Sequence, residues 1–483
     1  MRKTGEFLKV FEAVFSRAEL KRLAWLGIPV FITHLAQMGM NFADIVMTGW
    51  AGPGEMAAVG VACSIWNPLS LFCWGCLLPQ TPLIAQLVGA RHQEDAPHLF
   101  RQGLWLVAGL FVVIGGILYG ISWHLDAFGL DTVLAQRSGA YLRCVVWGLP
   151  ALMLFVCCRC LAEGFGWTRP AMIFGVLGLL LNIPCNYVLI YGRLGLPALG
   201  AVGCGISSAL CCWGMALAML FHLRREIAAV THAPLFSRRF GEKLCDPALV
   251  LRIARLGLPN AFAMLFEVSM FALTALFLAS FGAVTVAGHQ AALNYSGMLY
   301  IIPLALGTTV TIRVGHCLGA GNQNRARIAA RTALVAGVFF SLATALLTCL
   351  FREQIVHIYG DSGEVAALAA QLLVYVAAYQ VLDAVQTIAL GILRGYNDTL
   401  LISRVSLFAY PFIGILLGCT LAYGWLGSPL RAQGFWIAYI VAMGFAMCCY
   451  LPRVRHLHRL DARALRGKLF PLILKFPFDK IGR

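Results

Sequence analysis

Charge is scarce in this sequence. Of 483 residues only 12% are charged, and 21 acidic side chains stand against 37 basic ones. With 60% hydrophobic residues and a mean hydropathy of +0.80, the chain lies outside the composition of soluble globular proteins. Strand-period alternation is also lacking, which removes a transmembrane β-barrel from consideration. No H-E-x-x-H, G-x-S-x-G or Walker A sequence occurs, so zinc-hydrolase, serine-hydrolase and nucleotide-driven chemistry have no residues to act through. "GHQAALN" (Gly288 to Asn294) lacks the pattern of a zinc helix, and "GAGNQN" (Gly319 to Asn324) is an isolated glycine cluster that reads as a turn or helix start. The opening "MRKTGEFLKVFEAVFSRAELKR" has no apolar core followed by a small-residue cleavage site. It reads as a basic, amphipathic cytoplasmic segment. Enzymatic activity and a resident cofactor are therefore not expected.

Cysteine, by contrast, is plentiful. Two C-x-x-C patterns, Cys73–Cys76 and Cys157–Cys160, each sit inside an apolar run, about eighty residues apart, which is not zinc-site spacing. The total of 17 is odd. These thiols read as small, polarizable packing residues between helices.

The long apolar runs are what is present. A stretch of ~20 apolar residues crosses the hydrocarbon as a helix. Such stretches recur at residues 23–48, 57–88, 102–124, 140–163, 171–192, 201–223, 252–280, 286–312, 327–350, 364–394, 402–424 and 432–452. The fold class is an all-α integral membrane protein with twelve spans. Lys and Arg gather at the N-terminus, at Arg91 and Arg101, at Arg169, through 224–255, at Arg325 to Arg331, at Arg394 and Arg404, and along 453–483. These are alternate loops, which puts both termini on the cytoplasmic side by the positive-inside rule. The net charge of +16 then concerns topology and anionic membrane lipid, with no nucleic acid as partner.

The two halves repeat one another. "LGIP" at Leu26 to Pro29 matches "LGLP" at Leu256 to Pro259 at an offset of 230, and the same offset relates Ala57 to Ala287 and Gly89-Ala90 to Gly319-Ala320. Further on, "LAEGFGWT" (Leu161 to Thr168) meets "ILRGYNDT" (Ile392 to Thr399) at 231. Six spans per half make the repeats parallel, with a substrate path expected between them. The expected division is an N-terminal segment 1–22, an N-lobe 23–223, a cytoplasmic linker 224–251, a C-lobe 252–452 and a basic tail 453–483.

Three acids lie deep in apolar runs. In the first span His34, Gln37, Asn41, Asp44 and Thr48 share one helical face. In the seventh, Asn260, Glu267 and Thr274 do so; in the tenth, Tyr375, Tyr379, Asp383 and Thr387, with Gln380 and Gln386 flanking the acid. A polar stripe in lipid must face a neighbouring helix or water, either as interhelical glue or as a pathway. An acid at the centre of a membrane helix costs ~2.5 to 3.5 kcal/mol even on the lenient scale, which favours the pathway for Asp44, Glu267 and Asp383. No Lys lies at comparable depth. Arg143, Arg159, Arg313 and Arg394 fall nearer the span ends, where snorkelling serves them, and Glu163 reads as a helix-end ion pair with Arg159. Carboxylates and aromatics attract cations: inorganic ones by oxygen ligation, organic ones by charge and cation-π contact.

"LFEVSMFALTALFLASFGAVTVAGHQAALNYSGMLYIIPLALGTTVTIRVGHCLGAGN" (Leu265 to Asn322), "FADIVMTGW" (Phe42 to Trp50) and "YQVLDAVQTIALGILRGYND" (Tyr379 to Asp398) closely resemble the NorM branch of the multidrug and toxic compound extrusion (MATE) family. The resemblance runs from about residue 20 to residue 450. It implies two six-helix lobes and cation-coupled antiport of small organic cations by alternating access, in a bacterial inner membrane and as a monomer. It also implies cation-coupling roles for Glu267 and Asp383, which would hold Na⁺ if Na⁺ rather than H⁺ is the coupling ion, and for Asp44 and Asn182 in the N-lobe. Asn186 stands where other branches carry a second aspartate. The expected substrate cavity takes Gln37, Asn41, Asn260, Tyr379, Gln290 and Asn294. The alternative within the superfamily is a flippase for lipid-linked precursors bearing pyrophosphate, for which an acidic lumen is the wrong sign.

Overall fold

A computed structural model describes residues 16–460 other than 233, 238–242, 359–362 and 426. Most of the N-terminal segment and most of the basic tail lie outside the described residues. Among those described, every regular element is helical. Eleven helices are long and apolar enough to cross a membrane, or twelve when a pair bent by 42° is counted as one span.

In the first half these are α1 (Arg17–Ala51), α2 (Pro53–Leu77) running on into α3 (Gln80–Gly89), and α4 (Ala96–Leu110), which a wider turn at Phe111–Gly115 joins to α5 (Gly116–Ile121). The bent pair α6 (Thr132–Val146) and α7 (Leu149–Gly164) follows, then α8 (Arg169–Tyr191) and α9 (Gly200–Thr231). The second half holds α10 (Pro247–Leu278), α11 (Ala283–Gly319), α12 (Gln323–Leu350), the short α13 (Arg352–His357) and α14 (Gly363–Gly395). It closes with α15 (Leu400–Leu407), a wide-turn segment Phe408–Leu417, α16 (Gly418–Ala422) and α17 (Arg431–Arg459). Each expected span has its helix, and most helices outrun it, because hydropathy marks the hydrocarbon stretch while backbone hydrogen bonding continues past it. The 224–251 linker is accordingly helical at both ends.

The repeat is visible in the backbone. Gly52 (φ 148, ψ 154) and Gly282 (φ 96, ψ 165), 230 residues apart, start α2 and α11 in a conformation that glycine alone adopts without strain. The closures of α7 and α14 match bond for bond at an offset of 231. Gly166 N–H donates to Glu163 O at 2.8 Å and Asn397 N–H to Arg394 O at 2.9 Å; Trp167 N–H donates to Ala162 O at 2.8 Å and Asp398 N–H to Leu393 O at 3.0 Å. Gly166 and Asn397 are both left-handed, and asparagine is the residue that best tolerates what glycine does freely there. Asn322 caps α12 by accepting from Arg325 N–H at 3.0 Å, so the glycine cluster before it is a helix start.

Contacts group the chain into two compact units. One comprises Trp25–Val88 and His92–Ser269; the other comprises Met270 onward, Gly89–Arg91 and the start of α1 up to Ala24. The division passes through α10: up to Ser269 this helix packs in the first unit, where Phe262 meets Phe72 edge-on at 5.4 Å. Each unit has one helix with almost no free side. In α7, Phe155 to Gly164 are all buried, and in α14, Asp383 to Leu393 are all buried. A helix apolar all round belongs at the centre of a bundle, and these are corresponding spans of the two repeats.

Close approach makes α14 central. Gly391 faces the Gly307 carbonyl of α11, where a Cβ would collide with backbone, and the Thr311 hydroxyl bridges to the Gly391 carbonyl at 2.7 Å. Gly391→Leu should therefore destabilise the fold by about 1 to 3 kcal/mol, the usual cost of overpacking, and lower the thermal midpoint of the detergent-purified protein. Gly297→Ala, which enters open space, should leave the midpoint unchanged; equal midpoints for both variants would contradict the packing described.

Candidate functional site

In the first unit the stripe on α1 resolves into two clusters. Asp44, 9% exposed, accepts hydrogen bonds from Asn182 Nδ2 at 3.1 Å and Asn186 Nδ2 at 2.7 Å on one oxygen, and from Ser208 Oγ at 2.8 Å on the other. Both asparagines are fully buried, four residues apart on α8, and Asn186 also donates to Asn182 Oδ1 at 3.2 Å. The structure thus joins Asp44 to Asn182 and adds Asn186 and Ser208. Every one of these partners is neutral. Thr48, one turn along, returns its hydroxyl to the Asp44 carbonyl at 2.7 Å and contributes only to the helix.

The second cluster contains the ion pair expected from the sequence, at a depth the sequence did not show. Arg159 and Glu163, expected near a span end with access to headgroups, are each only 2% exposed. Arg159 does not snorkel: it lies on the all-buried face of α7, with Nε 3.1 Å from Glu163 Oε1 and its guanidinium carbon 4.8 Å from the Trp74 ring centroid. His34 stacks on Trp74 at 5.9 Å and 18°. Gln80 of α3 donates to the neighbouring Cys157 at 3.1 Å. The i, i+4 spacing signalled the pair; its depth was hidden because α7 ends inside the bundle. Breaking a buried pair strands a charge that only the partner had offset. Of the other arginines expected at span ends, Arg313 is bidentate to Glu19 at 2.9 Å and Arg143 lies over the Trp123 ring at 4.2 Å.

In the second unit Asp383 is 4% exposed on α14 and lines a narrow cavity with Ser296, Tyr300, Ser341, Thr344 and Gln380. The polar members of this lining are neutral hydroxyls and an amide, and the apolar Leu299, Pro303 and Phe340 complete it. Gln380 Nε2 reaches Thr344 Oγ1 at 3.4 Å, and Gln386 Nε2 donates to Tyr410 at 2.8 Å. One turn before Asp383, Tyr379 enters a buried aromatic group with Trp436 (5.8 Å, 84°) and Tyr439 (6.4 Å, 59°), against which His289 also packs, 5.8 Å from Trp436. Such rings offer a quadrupole face to cations.

The remaining expected residues distribute as follows. Glu267 is half-buried and falls in the first unit, although it lies in the second half of the sequence. Asn260 is fully buried, its amide turned back to the Leu256 carbonyl at 3.3 Å. Asn41, Gln290 and Asn294 are exposed and Gln37 is half-buried. Among the described residues no three His, Cys, Asp or Glu side chains gather as a metal cluster. The C-x-x-C cysteines are free thiols, buried within their helices.

Comparison with known proteins decides the family. The MatE family matches residues 29–188 and 259–420, one stretch in each repeat. The chain belongs to the MATE family. It is thus a multi-pass membrane transporter and not an enzyme. Its fold is similar to that of the eukaryotic MATE transporter AtDTX14 (TM-score 0.81, 20% identity, covering 94% of this chain and 99% of that one). It is equally similar to a multidrug resistance MATE family transporter of the MOP superfamily in an outward-facing conformation (0.81, 20%, 94% and 98%). A third likeness is to a MOP superfamily transporter from Pyrococcus furiosus, described as having a binding pocket of reversed polarity that suggests a different function (0.80, 21%, 93% and 98%).

In this MATE chain the Arg159–Glu163 pair should be structural. Glu163→Leu alone should cost about 3 to 5 kcal/mol by leaving Arg159 uncompensated, whereas Arg159→Met with Glu163→Leu should regain most of the loss. Thermal midpoints and purified yields of the two variants measure this; a double variant no better than the single would contradict it.

Proposed function

We propose that this MATE transporter is a NorM-like antiporter that exports small cationic amphiphilic compounds against entry of Na⁺ or H⁺. We place it in a bacterial inner membrane, both termini cytoplasmic, working as a monomer. The observation that carries the reading is the sign of the deep charge. Arg159 is matched by Glu163, while the groups around Asp44 and those lining the Asp383 cavity are neutral. Neutral oxygen-bearing groups in the lining of an acid's cavity suit a visiting cation or proton. A pyrophosphate-bearing lipid would require the opposite balance.

In the proposed cycle coupling ions neutralise Glu267 and Asp383, each within its own unit, in the outward-open state and drug leaves. The loaded protein turns inward and releases the ions to the cytoplasm, and the bared carboxylates then favour the next cationic substrate. Coupling requires that each ligand bind the two states with different affinity; tight binding to both would transport nothing.

The test is dye efflux from proteoliposomes under separately imposed Na⁺ and pH gradients. Glu267→Gln and Asp383→Asn should each lower gradient-driven efflux by on the order of tenfold or more, within the range of typical coupling free energies, with protein incorporation unchanged. Asp44→Asn should alter the dependence on the driving ion. Undiminished efflux in both C-terminal-half variants would sink the cation-site assignment. Loss of lipid-linked precursor export without any dye transport would favour the flippase.

A further inference from the structure

We propose that a cleft between α12 and α17 binds an anionic phospholipid of the cytoplasmic leaflet. The cleft, about 680 Å³, belongs wholly to the second unit. Its head is formed by Arg327 and Arg331, one turn apart at the start of α12, and by Arg455, His458 and Arg459 at the end of α17. Among the described residues no acidic side chain lines it. The nearby acid Asp398 is already bound to Arg453, 2.6 Å from its Nε. The head therefore carries four formal positive charges with no matching negative charge in its wall.

Behind the head, polar atoms lack partners among the described residues. Arg327 Nε and His458 Nε2 are buried without a hydrogen-bond partner among the described residues, and so is the hydroxyl of Tyr396, whose ring lies 5.9 Å from that of His458. Arg327 Nη1 makes one long contact of 3.4 Å to Asn324. A phosphodiester in the cleft would supply acceptor oxygens to its guanidinium groups, together with the missing charge.

Below the head the wall becomes apolar: Leu334 and Val338 on α12, Leu451 and Val454 on α17, and Val385 of α14. Val338 follows Arg331 by two turns, roughly 10 Å along the axis. That order, guanidinium first and hydrocarbon beneath, is the order of a phospholipid in its leaflet. The apolar surface continues along α12 through the exposed Phe339, Leu342 and Leu346, where acyl chains would follow. The basic end is the cytoplasmic end by the positive-inside rule, and anionic lipid is what basic pockets between membrane helices select there. The chain's own tail is a poor occupant, since residues 461–483 carry six basic and two acidic residues.

The test uses purified full-length protein, with retained lipid counted by native mass spectrometry and thermal midpoints recorded with added phosphatidylglycerol or phosphatidylcholine. Phosphatidylglycerol should be retained and stabilising, and phosphatidylcholine neither. Arg327→Gln with Arg331→Gln should weaken phosphatidylglycerol binding about thirtyfold, the combined effect of two arginines near a membrane surface. Val338→Trp, which fills the apolar floor and leaves every charge in place, should weaken it as well, while Arg352→Gln, outside the cleft, should not. Equal retention of both lipids, or full retention in the arginine and tryptophan variants, would overturn the proposal. Inorganic phosphate that stabilised as well as the lipid would make this a free-phosphate site and overturn it too. Truncation after Leu460 should leave retention unchanged; a marked rise would identify the tail as the occupant instead.

Discussion

A charge on a helix wrapped on every side by other membrane helices has neither water nor headgroup to turn to, so the protein itself must answer it. The rest of this structure follows from how each repeat meets that constraint. Both bury the later part of their fourth span, Phe155–Gly164 of α7 and Asp383–Leu393 of α14. In the first the answer is internal: Arg159 is neutralised by Glu163 one turn away and backed by the Trp74 face. In the second the buried acid Asp383 borders a narrow cavity whose polar groups are neutral hydroxyls and an amide, beside Leu299, Pro303 and Phe340. One architecture, duplicated, thus holds a closed charge pair on one side and a candidate exchange site on the other.

Much of this was readable from residues alone, for physical reasons. Spans follow from hydropathy, and the duplication from matched glycines and prolines whose backbone roles recur, as at Gly52 and Gly282 or Gly166 and Asn397. The tie between Asp44 and Asn182 was implied by resemblance, and the structure supplies it as a hydrogen bond of 3.1 Å. Asn186, which stood out as a departure from the family pattern, proves to be the shorter donor to the same oxygen at 2.7 Å. An amide in place of an acid turns a charge into a donor and leaves Asp44 the single charge of its cluster.

Other features were hidden because hydropathy measures apolarity along the chain and not depth in space. Arg159 and Glu163 sit near the end of an apolar run, and only the packing around α7 reveals that this end is interior. Glu267 belongs by sequence to the second repeat, yet the part of α10 that carries it packs with the first unit; periodicity assigns a residue to a face and says nothing of which neighbours that face meets. The cleft of α12 and α17 joins basic residues more than a hundred positions apart, which the sequence showed only as two charge clusters on the same side of the membrane.

The central claim is that deep acids in a neutral, oxygen-lined setting let an inorganic cation or proton compete with an organic one. The most direct measurement is equilibrium binding of a fluorescent organic cation to the purified wild-type protein, titrated separately with Na⁺ and with protons. The account predicts that raising one of them weakens organic-cation binding, and that the weakening disappears in Asp383→Asn. Binding that stays constant across both titrations in the wild-type protein would contradict it.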